Sequence, residues 1–462
     1  MNKRTLTQSL CWGLALGTYA AERPNVVLIN IDDLGWADFS FNGSSYYETP
    51  NIDKLKHAGI WFSQAYAGAP NSAPSRACML TGQNTPRHGI YTVANPDRGK
   101  SKDRKLIPIP NREALPDGFQ ILPQVLHDAG YQTFHLGKWH VTSNPRDCGF
   151  DVNVGGFNAG HPRSYFSPYH NPNLEDGEKG EFLCDRLGDE AVKLIKNAEK
   201  SRPYFMYFAT YAVHTPLQAK ADDIAYFKRK KGNGAHNNPT YAALIKAMDE
   251  NVGKVLRAIE ESGESANTII IFTTDNGGVY NISKQWPLRA GKGSFYEGGI
   301  RVPIIVYQPG VYEKQEIHDV AVSQLDLFPT IMDMTDLPTK NLLLDGKSLE
   351  KVLRKGSDKQ LANRPIFYHF PAYLEGGNKE TTDELFRTRP VSVVRQGDWK
   401  LIENYETGFY ELYNLKEDLG EKHNLVNIEK KKVKELASLL NRWKRKTKAP
   451  IPSELNPDYQ GN

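Results

Sequence analysis

Asn25-Val26-Val27-Leu28-Ile29-Asn30-Ile31-Asp32-Asp33 is an almost unbroken apolar run that stops at two adjacent carboxylates. A run this short and this rich in branched side chains predicts a strand buried on both faces of a parallel sheet. Similar runs recur at 131–136, 204–210, 268–274 and 302–307. Between them the spacing turns helical. One helical pattern covers 181–200; another covers 241–259, with Met248, Val252, Val255 and Ile259 along one face. Strands alternating with helices predict an α/β fold with helices on both faces of the sheet.

The texture changes after about residue 365. Short strand patterns at 391–395, 399–403 and 409–413 are separated by the turn signals Gly397-Asp398 and Thr407-Gly408. A helical pattern at 429–446 follows, with Val433, Leu436, Leu440 and Trp443 on one face. Its lysines and arginines read as a solvated outer face. The expected organisation is a signal peptide over 1–21, a large α/β domain over 22–370, and a small α+β subdomain with an antiparallel sheet and a helix over 371–462. At 462 residues the chain is long enough for both domains. Its net charge of +4 is too weak to suggest nucleic-acid binding, and no basic stripe is interleaved with aromatics.

Lys3 and Arg4 precede a short apolar stretch from Leu10 to Gly17, and small residues follow at Ala20 and Ala21. This pattern predicts secretion to the periplasm or the outside, with cleavage near Ala20 or Ala21. The stretch is too short for stable membrane insertion. Cys78, Cys148 and Cys184 then remain, without zinc-site spacing. Cys78 reads as a small core filler, and a disulfide between Cys148 and Cys184 is open but not required.

Chemistry-bearing residues fall just after the strand patterns, where α/β sheets place their sites. Asp32 and Asp33 end the first strand, and Asp275-Asn276 ends the one at 268–274. Adjacent carboxylates repel unless a positive group sits between them. A turn or helix cap is one reading; a hard-cation site is the other. The set offers only oxygen donors, which suits calcium, with magnesium as the alternative, rather than zinc. His214 sits in Val213-His214-Thr215-Pro216, and a lone His before a Pro turn is more often structural than catalytic. Segments 95–118 and 151–180 are long and rich in Gly, Pro, Asn and aromatics, as functional loops often are.

Ser72-Ala73-Pro74-Ser75-Arg76-Ala77-Cys78-Met79-Leu80-Thr81-Gly82 reads locally as a turn entering a helix. It also resembles the modification motif of type I sulfatases, whose first residue, Cys or Ser, is converted to formylglycine (3-oxoalanine). Gly130-Tyr131-Gln132-Thr133-Phe134-His135-Leu136-Gly137-Lys138-Trp139-His140 resembles the second motif of that family, with Leu136 where a smaller or β-branched residue is common. The string from Pro287 to Pro303, carrying Lys292, Glu297 and Arg301, resembles its lysine-bearing loop. Arg395-Gln396-Gly397-Asp398-Trp399-Lys400 is similar to its small domain, and the loop from Gly155 to Tyr169 is similar to bacterial polysaccharide sulfatases.

The resemblance implies an alkaline-phosphatase-like fold: a mixed, mostly parallel sheet sandwiched by helices. It also implies hydrolysis of a sulfate ester on a carbohydrate by formylglycine at position 72. In that reading Ser72, Arg76, Lys138, His140, His214 and Lys292 are catalytic, and Asp32, Asp33, Ser72, Asp275 and Asn276 hold the cation. A radical-type maturase that accepts Ser is the implied partner. His161, His369, Arg387 and Arg389 are candidates for a substrate subsite. Three alternatives stay open: a phosphodiester or phosphonate hydrolase of the same superfamily, a phosphatase using unmodified Ser72, and a catalytically silent glycan-binding protein.

Overall fold

The computed structural model describes residues 23–461, so the signal segment expected at 1–21 lies outside the described residues. Asn25–Ile31 forms the expected strand near the middle of an eight-stranded sheet. From one edge to the other the strands are Val152–Val154, Gln132–Gly137, Tyr204–Ala209, Asn25–Ile31, Thr268–Thr274, Ile304–Tyr307, Ile60–Phe62 and Gln315–Ile317. Within this sheet, Ile304–Tyr307 alone runs against its neighbours. In the centre Ile29 lies opposite both Phe208 and Phe272.

Alternate residues of the central strand feed two cores, because successive side chains of a strand point to opposite faces. Val27, Ile29 and Ile31 pack with Leu187 and Ile195 of the helix Leu183–Asn197 and with Leu244, Met248 and Val252 of Pro239–Glu261. Val26 and Leu28 pack on the other face with Ala73 and Ala77 of Ser72–Thr81 and with Phe328 and Ile331 of Leu327–Met334. Both faces are therefore covered, which is why the strand could be apolar throughout.

The smaller sheet is antiparallel, in the order Ile366–Phe370, Val391–Gln396, Trp399–Asn404, Tyr410–Asn414. Its first strand begins before the boundary expected at residue 371. Tyr368, Val391, Val393 and Ile402 face Tyr66, Phe295, Tyr296 and Ile300 of the main domain. Val394, Leu401 and Leu412 face the helix Lys430–Thr447 through Leu436, Leu440 and Trp443. Gly397 and Gly408 turn the chain with φ of 57° and 69°, a region that favours glycine.

Where the two domains meet, a buried charge cluster joins the apolar contact. Lys400 lies 2.9 Å from Glu297 and 2.6 Å from Glu421, and Arg301 lies 2.8 Å from the other Glu297 oxygen. Cys78, Cys148 and Cys184 are all buried and free, so the open disulfide does not form.

Candidate active site

The site is built from loops at the C-terminal ends of four adjacent strands and from the N-terminus of one helix. The central strand delivers Asp32 and Asp33, Gln132–Gly137 delivers Lys138 and His140, and Thr268–Thr274 delivers Asp275 and Asn276. His214 follows Tyr204–Ala209, and Ser72 opens the helix Ser72–Thr81. Gly137 ends its strand with φ of 90°. A Cβ there would come within 2.1 Å of Ala209 O. Only glycine lets Lys138 turn in at this point, with its main-chain N–H donating to Ala209 O at 2.7 Å.

Carboxylate oxygens of Asp32, Asp33 and Asp275 lie within 4.8 Å of one another, all buried. Ser72 Oγ lies 3.3 Å from both Asp32 Oδ1 and Asn276 Oδ1, and Lys138 Nζ donates to it at 3.0 Å. Lys138 Nζ also spans both Asp32 oxygens at 2.7 and 2.8 Å. Arg76 is fully buried. Its Nε donates to Asp275 Oδ2 at 3.0 Å and its Nη1 to Lys138 O at 2.9 Å, while its Nη2 has no acceptor among the described residues. Lys292 Nζ lies 2.6 Å from Asp33 Oδ2, and His214 Nε2 lies 3.5 Å from the same oxygen.

The loop carrying Lys292 is stitched to both neighbours by backbone. Lys292 N–H donates to Gly278 O at 2.8 Å and Gly293 N–H to Pro70 O at 2.7 Å, next to the loops that carry Asp275-Asn276 and Ser72. Behind it, Gly277 N–H donates to Gly299 O at 3.0 Å. A Cβ on Gly277 would meet Gly298 O at 1.9 Å, so this turn backs directly onto Asp275-Asn276. His140 takes a left-handed backbone, φ 61°, and its ring packs against Gly160. Tyr165 holds the His214 loop by donating its hydroxyl to the carbonyls of Tyr211 and His214 at 2.6 and 2.9 Å.

Burial governs the electrostatics. It pushes the Asp32 carboxyl upward against the pull of Lys138, and pushes Lys138 downward against the pull of Asp32. Burial pushes Asp33 upward, but the Lys292 ammonium beside it outweighs burial and holds the carboxyl below the usual range. Burial, with Lys138 close by, holds His140 neutral. Burial also brings His214 down to about 3, against the opposing pull of Asp33. Three clustered carboxylates, the Asn276 oxygen and residue 72 form an all-oxygen donor set that fits a hard divalent cation. The nearby lysine and arginine show how much positive charge the cluster already attracts.

A cavity of about 470 Å3 opens onto this cluster and is lined by Ser72, Asp33, Lys138, His140, His214 and Lys292. His161 and Arg387 also line it; the His161 ring stands edge-on to that of His214 at 5.9 Å. The structure does not bring His369 or Arg389 there, which corrects their placement in a substrate subsite. His369 is buried, with its ring nitrogens 2.8 Å from Ser392 Oγ and 2.8 Å from Pro450 O. Arg389 pairs with Asp383 and Glu406 within the small domain. Arg98 lines the cavity and was not singled out in the sequence. Its only sequence signal was membership of the long loop at 95–118.

The family model for sulfatases matches residues 24–337, and one described as the C-terminal part of N-sulphoglucosamine sulphohydrolase matches 291–448. A sulfatase of Formosa agariphila is 32% identical, with 88% of this chain and 85% of that protein covered. N-acetylgalactosamine-6-sulfatase of Mus musculus is 32% identical over 77% of this chain and 71% of that protein. The crystal structure of Ps i-CgsB in complex with k-i-k-neocarrahexaose superposes with a TM-score of 0.77 at 30% identity, covering 94% of this chain and 95% of that one. The chain belongs to the sulfatase family, with the alkaline-phosphatase-like fold, and is a sulfuric ester hydrolase.

Proposed function

We propose that the protein releases sulfate from a sulfated oligo- or polysaccharide, using formylglycine formed from Ser72 and a calcium ion. The observation that carries this reading is the convergence on Ser72 Oγ of Asp32, Asn276 and Lys138. The relative named N-acetylgalactosamine-6-sulfatase and the similar structure solved in complex with k-i-k-neocarrahexaose support a carbohydrate substrate.

In this reading Asp32, Asp33, Asp275, Asn276 and residue 72 hold the cation, which supplies Lewis-acid polarisation of a sulfate oxygen. Residue 72, once converted to formylglycine and hydrated, would offer two hydroxyls: one, its proton lost to solvent beside Lys138 and the cation, for attack on sulfur, and a second whose ionisation would restore the aldehyde as sulfate leaves. Lys138 and Lys292 bind the equatorial sulfate oxygens and stabilise their charge as the S–O bond to the sugar breaks. Arg76 fixes residue 72 by bridging Asp275 and the Lys138 carbonyl. His214 delivers a proton to the departing sugar oxygen. An incoming sulfate ester places negative charge beside it and raises its proton affinity from the low value burial imposes. His140, neutral and with Nδ1 free of any partner among the described residues, accepts the proton of the second hydroxyl.

A panel of sulfated mono- and oligosaccharides, scored by inorganic sulfate, tests the reading, with an aryl phosphodiester run in parallel. Sulfate release from at least one saccharide is expected. Faster turnover of the phosphodiester, with every sugar inert, would overturn it.

A further inference from the structure

Besides the groups assigned above, the cavity holds a second cationic pair, Arg98 and Arg387, on its outer wall. Every other cation there has a partner. Lys138 pairs with Asp32, Lys292 with Asp33, and Arg98 Nη2 lies 2.7 Å from Glu375 Oε1. Arg387 differs. Among the described residues no carboxylate lies within ion-pair distance of it, and its one protein hydrogen bond runs from Nε to Gly376 O at 3.3 Å. It is half-buried; burial and the nearby Arg98 push its proton affinity down, and Glu375 and Asp33 only partly oppose them. Glu375 and Asp33 act on this guanidinium only from beyond ion-pair distance, so its charge is incompletely compensated within the chain.

Its position is specified by the fold. Arg387 lies on the short strand Phe386–Thr388 and crosses over Gly293, the residue after Lys292. A Cβ on Gly293 would meet Arg387 Cδ at 3.0 Å and Leu374 Cδ2 at 2.5 Å. The glycine thus leaves room for Arg387 beside the lysine that faces the transferring group. The two planar donor edges of its guanidinium suit a sulfate or a carboxylate.

We propose that Arg387, assisted by Arg98, binds a second anionic group of the saccharide, a sulfate ester or a uronate carboxylate, next to the sulfate being removed. This rests on the sulfated-carbohydrate reading above and goes beyond it: Arg387 selects substrates carrying two negative groups. Arg387 makes this selection by charge, so Lys at that position retains part of it and Gln abolishes it.

The test separates binding from turnover. Calorimetry on the full chain with Ser72→Ala compares three saccharides: one monosulfated, one with a second sulfate, and one with an adjacent uronate. Tighter binding of one or both dianionic sugars is expected. Adding Arg387→Gln should remove on the order of 10- to 100-fold of that preference, and Arg387→Lys should keep part of it. Binding of the monosulfated sugar should change less than about 3-fold in either variant. Selectivity confined to one dianionic sugar identifies which anion is taken. Equal affinity for all three sugars, or equal loss for all three in Arg387→Gln, overturns the proposal while leaving the sulfatase reading intact. Conversely, charge-selective binding without any sulfate release by the matured protein would leave this subsite standing and remove the catalytic reading.

Discussion

Replacing Lys400 with Met tests how the two domains are held together behind the site. Lys400 is fully buried between Glu297 at 2.9 Å and Glu421 at 2.6 Å. Met keeps the length of the side chain and removes its charge. Glu297 retains Arg301 at 2.8 Å and the Tyr66 hydroxyl at 2.9 Å, whereas Glu421 loses its only ion-pair partner among the described residues and keeps the Glu297 N–H at 2.6 Å. Removing one member of a buried pair costs about 3–5 kcal/mol. Burial already pushes the Glu421 carboxyl upward, opposed by Lys400, so the variant raises it further. A carboxyl raised in the folded state stabilises below the unfolded carboxylate range, and that contribution is lost as pH rises through its folded value. The deficit should therefore be larger at about pH 8.5 than at about pH 6 in urea unfolding of the full chain. Adding Glu421→Gln, which keeps an acceptor for the Glu297 N–H, should recover most of the alkaline loss. A deficit below about 1 kcal/mol, equal deficits at the two pH values, or no recovery by the glutamine would refute this reasoning.

Other expectations concern the chemistry and the loops that carry it. His214→Ala should slow a sugar sulfate by about 10²–10⁴-fold but an activated aryl sulfate far less, because the aryl leaving group needs little protonation. Equal losses would make His214 a binding group and shift the acid role to Lys138. A calcium chelator should abolish sulfate release and added calcium restore it, with elemental analysis showing one divalent ion per chain. Two stoichiometric zinc ions would contradict the all-oxygen site. Gly137→Ala forces a left-handed backbone and a clash with Ala209 O. It should cost at least about 1–3 kcal/mol in urea unfolding and lower kcat through displacement of Lys138.

The long buried strands were legible because burial on both faces leaves an uninterrupted apolar run. The strand at 268–274 was placed to the residue, and the ends of 204–210 and 131–136 shifted by one. Ile60–Phe62, Val152–Val154 and Gln315–Ile317 were not read as strands, since three residues carry no period. Carboxylates at strand ends were visible as site candidates because the topology gathers those ends on one edge of the sheet. The outer wall was harder. His369 looks in sequence like a loop histidine, yet its ring is satisfied by Ser392 and by Pro450, the latter 81 residues away. Arg98 escaped notice because its partner Glu375 lies 277 residues on, and only the fold brings the two to the cavity.

The most direct test is the chemical state of residue 72. Expressed beside a radical-type maturase that accepts Ser, the tryptic peptide ending at Arg76 should lose two hydrogens by mass spectrometry. Sulfate release across preparations should then rise in proportion to the modified fraction. Full turnover by protein in which residue 72 is entirely unmodified serine would contradict the mechanism.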